Sequence, residues 1–420
     1  PSRSALSTRI TSAPAATATP IATARLLYPG LLDGRAGIIA ANADGSEARL
    51  LVEGTYHGVA PAPDGRRFLA FGFDTTGLAV LYAADGQPLR RYDLGGDNGL
   101  LANWSPDSRT VALFTRPPLA SDLSATKTWL LDEHGAKEVR LGIATAASST
   151  TGGGVWSAQG RLLLAVVPGD GDGDGQITFA DPTELWTVDA SGGDARRLYR
   201  GKFVAVGWSG QRAEIYVIES ARLLAITDPT GAQRVVASAD DLARRLLAPE
   251  VARGEAFSLS MSVAANLPRA DRLVIALDST RPPGPGASAS LLLVLDGDGQ
   301  VLNQGRVEAG TRPNRAYWAP DGTRLAYSYY GADDTTGGVR VVAVDRGGTV
   351  NTVSTFADLD GASVTMANLR WSPDSRTLAF FRFTSVWRGI TVIDGLAADT
   401  SWAMPSEARG WPGWLPGPGR

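Results

Sequence analysis

The chain has 420 residues, 44% of them hydrophobic, with a formal charge of −3 and no cysteine. That balance excludes general disorder and a strongly basic nucleic-acid-binding surface, and the absence of thiols excludes disulfides and thiolate metal sites. No run of 18 apolar residues occurs, so no transmembrane segment is expected.

Residues 1–24 are rich in Ser, Thr, Ala and Pro and contain no acidic residue. This composition suits a tether or stalk better than a strand. Together with a start at Pro1, it leads to the expectation of an exported protein, extracellular or at the cell surface, whose signal peptide has been removed. An extended arm of this kind can add to a neighbouring subunit, so a homo-oligomer or polymer built through residues 1–24 is expected.

Beyond the arm, one phrase recurs. Trp104-Ser-Pro-Asp-Ser-Arg-Thr110 is repeated at Trp371 to Thr377, and weaker copies align at Pro61, Trp156, Trp208, Asn266, Trp318 and Trp414. The steps are 43, 52, 52, 58, 52, 53 and 43 residues, a period that points to propeller blades. After each copy comes an apolar run, such as 111–114, 162–167 or 378–381, and then a second run ending in an Asp- or Gly-bearing turn, as at Asp85-Gly86, Asp189 and Asp394. Such turns carry the residues that short hairpins need. A more polar strand follows, at 196–199 or 139–141, and would form the outer edge; no helix is expected inside the period.

The first unit, 25–53, has no preceding motif, whereas Trp414 has one and nothing after it. Pairing of 410–416 with the strand that begins at Arg25 would close the ring. The expected fold is therefore all-β, an eight-bladed β-propeller closed by its N- and C-terminal strands, with seven blades as the alternative if the Asn266 or Trp414 unit is a false match. The domain division is an arm at 1–24 and a propeller at 25–420 with an insertion at 168–183.

These repeats resemble those of the TolB-like propellers, whose WD-like Trp-Ser-Pro-Asp-Gly units are related to the propellers fused to prolyl oligopeptidases. The resemblance covers roughly residues 25–417. It implies architecture and says almost nothing of activity, because the fold hosts many functions.

The strongest chemical signal is Asp170-Gly-Asp172-Gly-Asp174-Gly-Gln176-Ile-Thr178-Phe-Ala-Asp181. It matches the twelve-residue calcium loop of the EF-hand, with carboxylates at positions 1, 3, 5 and 12, Gly at 6, the Gln176 carbonyl at 7 and Thr178 at 9. Asp181 stands where that loop usually has Glu, a feature that resembles dockerin-type loops. Neither flank looks helical, so bound Ca²⁺ would staple a long hairpin rather than move helices; the alternative is an acidic turn that binds nothing.

Catalysis has little to draw on. The only histidines are His57, expected to pack beside the first motif, and His134, expected in an exposed turn. There is no Gly-x-Ser-x-Gly elbow and no phosphate loop. The motif tryptophans are expected to pack between blades; Trp129, Trp186, Trp387, Trp402 and Trp411 fall off that register and could instead meet a sugar or a partner. The leading expectation is a non-enzymatic, secreted, calcium-binding structural or protein-interaction module, self-assembling into a filament or tube. A peptide- or glycan-binding propeller and a propeller lyase or hydrolase using channel carboxylates are the alternatives.

Overall fold

The computed structural model describes residues 24–417 except 73–77, 118–125, 142–146, 149–154, 172, 176, 178–180, 265–271, 281–289, 309–310, 332–335, 345–348, 361–368, 384–387, 395–400, 405–406 and 409. The arm, the Asn266 copy of the motif and the side chains of Trp387 and Trp402 lie outside these.

The strands form eight antiparallel sheets arranged as an eight-bladed β-propeller. In blades 2 to 8 the strands follow one another from the axis outward, four to a blade except in blade 4, whose innermost position is shared by Ala147–Ser148 and Val155–Trp156; blade 3, for example, is Asn98–Trp104, Val111–Arg116, Lys127–Leu131 and Ala136–Glu138. The outer strand of blade 3 thus precedes the expected 139–141. Val139 is instead buried against blade 4, its amide bonded to the Thr128 carbonyl.

Blade 1 is built from both ends of the chain. Arg25–Leu32, Arg35–Ala41 and Arg49–Glu53 supply three strands, and Gly413–Leu415 with Glu407–Ala408 supplies the innermost. Arg25 pairs with Leu415, Leu26 with Trp414 and Leu27 with Gly413, so the expected closure is present. Close approach requires the C-terminal glycines: a Cβ on Gly410 would lie 1.8 Å from the His57 carbonyl oxygen, and one on Gly413 2.4 Å from Pro61 Cδ.

The core is a circle of clusters between blades, because each sheet buries both faces. Alternate residues of one strand therefore serve two clusters: Leu113 packs toward blade 2, whereas Ala112 and Phe114 pack toward blade 4. The repeated motif fastens these interfaces. Indole Nε1 of Trp104, Trp156, Trp371 and Trp414 donates to the carbonyl of Ala60, Asn103, Tyr317 and Arg370 at 2.8, 3.1, 2.9 and 2.8 Å. Each acceptor immediately precedes the aligned motif residue of the blade before it.

The expectation of a helix-free period fails once. Two helices, α1 (Ala239–Leu246) and α2 (Ala248–Ala252), connect blade 5 to blade 6. Ser238 caps α1 by accepting the Asp241 amide, and Leu242, Ala243 and Leu247 are buried in the cluster between the two blades.

Candidate metal centre

The acidic loop joins the second and third strands of blade 4, Leu162–Val166 and Thr183–Val188. Both strands are almost wholly buried, and the register sets Val166 opposite Glu184. The loop therefore leaves and re-enters the sheet at one end of the blade. Asp170 and Asp174 are exposed, while Asp181, one residue from Pro182 at the re-entry, is 1% exposed.

Carboxylates organise the loop from within. Asp170 Oδ1 accepts the Gly173 amide at 2.6 Å and Oδ2 accepts the Gly175 amide at 2.8 Å. Both glycines take the left-handed conformation, with φ of +81° and +84°, which glycine adopts without steric cost. Asp181 Oδ1 accepts the Gly171 amide at 2.7 Å, so the last carboxylate of the twelve-residue frame closes its neck on the backbone of the second residue. Thr183 Oγ1 donates to the Asp181 carbonyl at 3.3 Å.

This arrangement fits a hard cation. The available donors are oxygens, and each carboxylate oxygen that accepts one amide keeps a second lone pair. Burial of the Asp181 carboxylate carries a desolvation cost that a cation would offset. Asp172, Gln176 and Thr178 lie outside the described residues. Among those described, no three His, Asp or Glu side chains are grouped so as to hold a metal.

Glu184, absent from the sequence-based candidates, is 2% exposed. Its Oε1 accepts from Arg197 Nη1 at 3.0 Å and its Oε2 from Trp186 Nε1 at 2.9 Å. The signal was a lone carboxylate inside an apolar strand. Two other buried carboxylates are also matched to cations: Asp97 with Lys127 at 2.9 Å and Asp228 with Arg161 at 3.0 Å.

The histidines separate as expected. His57 stands edge-on to Trp411, ring centroids 4.9 Å apart, and burial pushes its pKa down to about 4. His134 is exposed in the turn after Asp132, whose Oδ1 accepts its amide at 2.7 Å. Of the tryptophans off the motif register, Trp129 donates to Thr115 Oγ1 and Trp186 to Glu184, so both serve internal packing.

No protein-family model matches the chain, and no curated protein does so. Solved structures do. A eukaryotic initiation factor is 14% identical with a TM-score of 0.54, over 95% of this chain and 99% of that one. An oligogalacturonate lyase in complex with manganese is 13% identical with a TM-score of 0.53, over 90% and 98%. The C-terminal WD40 domain of Sif2 is 11% identical with a TM-score of 0.51, over 88% and 92%. At these identities the likeness establishes the fold alone: an eight-bladed β-propeller whose structural neighbours include both enzymes and WD40 proteins.

Proposed function

We propose that the chain is a non-enzymatic, calcium-binding β-propeller that acts outside the cell as a structural or protein-interaction module and assembles with its own copies through residues 1–24. The calcium assignment is supported chiefly by the neck of the acidic loop, where the buried Asp181 carboxylate and the Asp170 carboxylate are both held by backbone amides of the same loop. Asp170, Asp172, Asp174 and Asp181 would hold the ion, with the Gln176 carbonyl and Thr178. Calcium supplies charge neutralisation there and fixes a long excursion between two buried strands. The reading as a binding module rests on the placement of the histidines: packing accounts for His57 and turn geometry for His134.

Calorimetric unfolding in excess chelator and in millimolar Ca²⁺ tests the metal. Calcium is expected to raise Tm, and Asp170→Ala or Asp181→Asn to abolish that rise. A Tm indifferent to calcium in the unaltered protein would refute the assignment. Negative-stain imaging of native material tests assembly: ordered polymers are expected, and deletion of residues 1–24 should leave single rings.

A further inference from the structure

The rim of the ring is built against pairing with another strand. In blades 1, 2, 4, 5, 6 and 7 the outermost strand carries one residue more than its ladder partner, namely Leu51, Leu89, Leu198, Val236, Leu302 and Val353. Such bulges break the straight row of amides and carbonyls that an added strand would need. The outermost strands of blades 3 and 8 keep their register but are three residues long. The longest unbroken stretches are 90–93 in blade 2, where Arg90 and Arg91 are exposed, and 303–306 in blade 6, where Thr349 of blade 7 bridges to Gln304.

Most of the extra residues serve the next blade. Leu51, Leu198, Val236 and Val353 pack into the cluster shared with the following blade, while Leu89 and Leu302 stay exposed. The carbonyls of Leu51, Leu198 and Val236 abut hairpin glycines of that next blade: a Cβ on Gly86, Gly231 or Gly299 would lie 2.7, 2.8 or 2.0 Å away. The bulge thus turns backbone toward the neighbouring blade and away from the outside.

The chain enters the ring at its other kind of surface. Arg25 opens the second strand of blade 1 as Arg67 and Val111 open theirs, directly after a motif turn. Ala24 packs beside Trp411, and the Pro416 carbonyl lies against the motif turn of blade 2, where a Cβ on Gly65 would be 2.4 Å from it. Residues 1–23 therefore start from the motif end of the ring. Drawn out fully they would span roughly 80 Å, against about 23 Å for a seven-residue strand.

We infer that copies of this chain stack along the ring axis, the arm of one passing to the end of the next ring that carries α1, α2 and the acidic loop. This rests on the reading of residues 1–24 as the assembling segment. A polymer requires a receiving surface different from the donating one, since a patch that meets its own copy closes a pair. The donor is the motif end, and the rim presents no straight edge. The opposite end remains, and there α1 exposes Asp240, Asp241, Arg244 and Arg245.

Because the chain has no cysteine, single cysteines can carry a bulky polyethylene glycol at chosen sites of the full chain. On the rim, Arg91→Cys and Val235→Cys so modified should assemble as the unaltered protein does. At the opposite end, modified Arg245→Cys should sediment as single rings, a complete loss of assembly. Negative-stain images of the unaltered protein should show rings piled on a common axis. Assembly by modified Arg245→Cys, its loss in both rim variants, or rings joined side by side would each overturn the stacking and leave the arm reading standing. Single rings from the unaltered full chain would end both.

Discussion

The two ends of the propeller's blades are built on different rules. At the end carrying the Trp-Ser-Pro-Asp turns, interactions recur from blade to blade: Ser105 Oγ donates to Asp107 and accepts the Thr110 amide, and Ser372 does the same with Asp374 and Thr377. Neighbouring turns are bonded to each other as well. Ser108 Oγ accepts the Asp64 amide at 3.0 Å, Ser375 Oγ the Asp321 amide at 2.9 Å, and Arg67 lies over the Trp104 ring at 5.7 Å. At the opposite end the connections differ widely in length. The connection there is two residues in blade 1 and in blade 5, whereas blade 4 carries the acidic loop and helices α1 and α2 bridge blades 5 and 6. One end holds the ring together, and the other is free to vary its chemistry.

Breaking the ring should have the largest effect. Deletion of residues 410–420 removes the Gly413–Leu415 part of the innermost strand of blade 1 and uncovers Leu26 and Tyr28, both fully buried beside Trp414. The expected result is loss of cooperative unfolding and aggregation through the freed strand edge, read by calorimetry and size-exclusion chromatography. Single staples come next. Trp104→Ala should cost about 3–5 kcal/mol in chemical denaturation through the cavity left. Trp104→Phe, which keeps most of the packing but abandons the Ala60 carbonyl, should cost about 1–3 kcal/mol. An equal loss in both variants would show that the indole hydrogen bond, rather than the volume, fastens the blades.

This division also explains what the sequence disclosed. The motif end was legible because its chemistry is local: an aromatic, a serine cap and a residue at positive φ within seven positions, as at Ser108 and Gly322. Ring closure followed from the same motif standing alone at Trp414. The helices were missed because α1 is only eight residues long and its apolar Leu242, Ala243 and Leu247 are few, although Ser238-Ala-Asp-Asp241 carries a cap signal. The outer strand of blade 3 was misplaced because Val139 is apolar for packing beneath the blade, while the true edge strand, Ala136–Glu138, is polar. The acidic loop could be read from spacing, since its candidate ligands are close in sequence. The pairing of Glu184 with Arg197 could not, because it exists only after two strands are set in register.

Acid should probe the closure specifically. His57 lies where the C-terminal segment meets blade 2, its carbonyl against Gly410 and its ring against Trp411. Its folded pKa of about 4 is below the ordinary value of 6.5 because burial disfavours the charged ring. As pH falls, the unfolded chain therefore binds a proton first. Stability present above pH 6.5 is lost progressively down to about 4 and is then flat with respect to this group, a total of roughly 3 kcal/mol at most. Denaturant midpoints across that range should slope less steeply in His57→Gln than in the unaltered protein, whatever the variant's absolute stability. Parallel slopes would place the acid sensitivity in the carboxylates instead.

The smallest expected effect separates backbone strain from the bond between blades at the motif turn. Ser108 and Ser375 adopt φ of 60° and 62° at the position where other blades carry Gly65, Gly160 and Gly322. A side chain there costs about 1 kcal/mol of conformational strain, yet in both cases its hydroxyl receives an amide from the preceding blade. Ser375→Gly removes the strain and the bond together and should leave stability within about 0.5 kcal/mol. Ser375→Ala keeps the strain, loses the bond and should cost about 1 kcal/mol. If alanine is tolerated as well as glycine, the hydroxyl contributes nothing between blades, and serine at this turn is only a strained substitute for glycine. If alanine alone is destabilising, the serine copies exchange an easy turn for a bond to the neighbouring blade, and the two fullest copies of the motif mark the blades joined in this way.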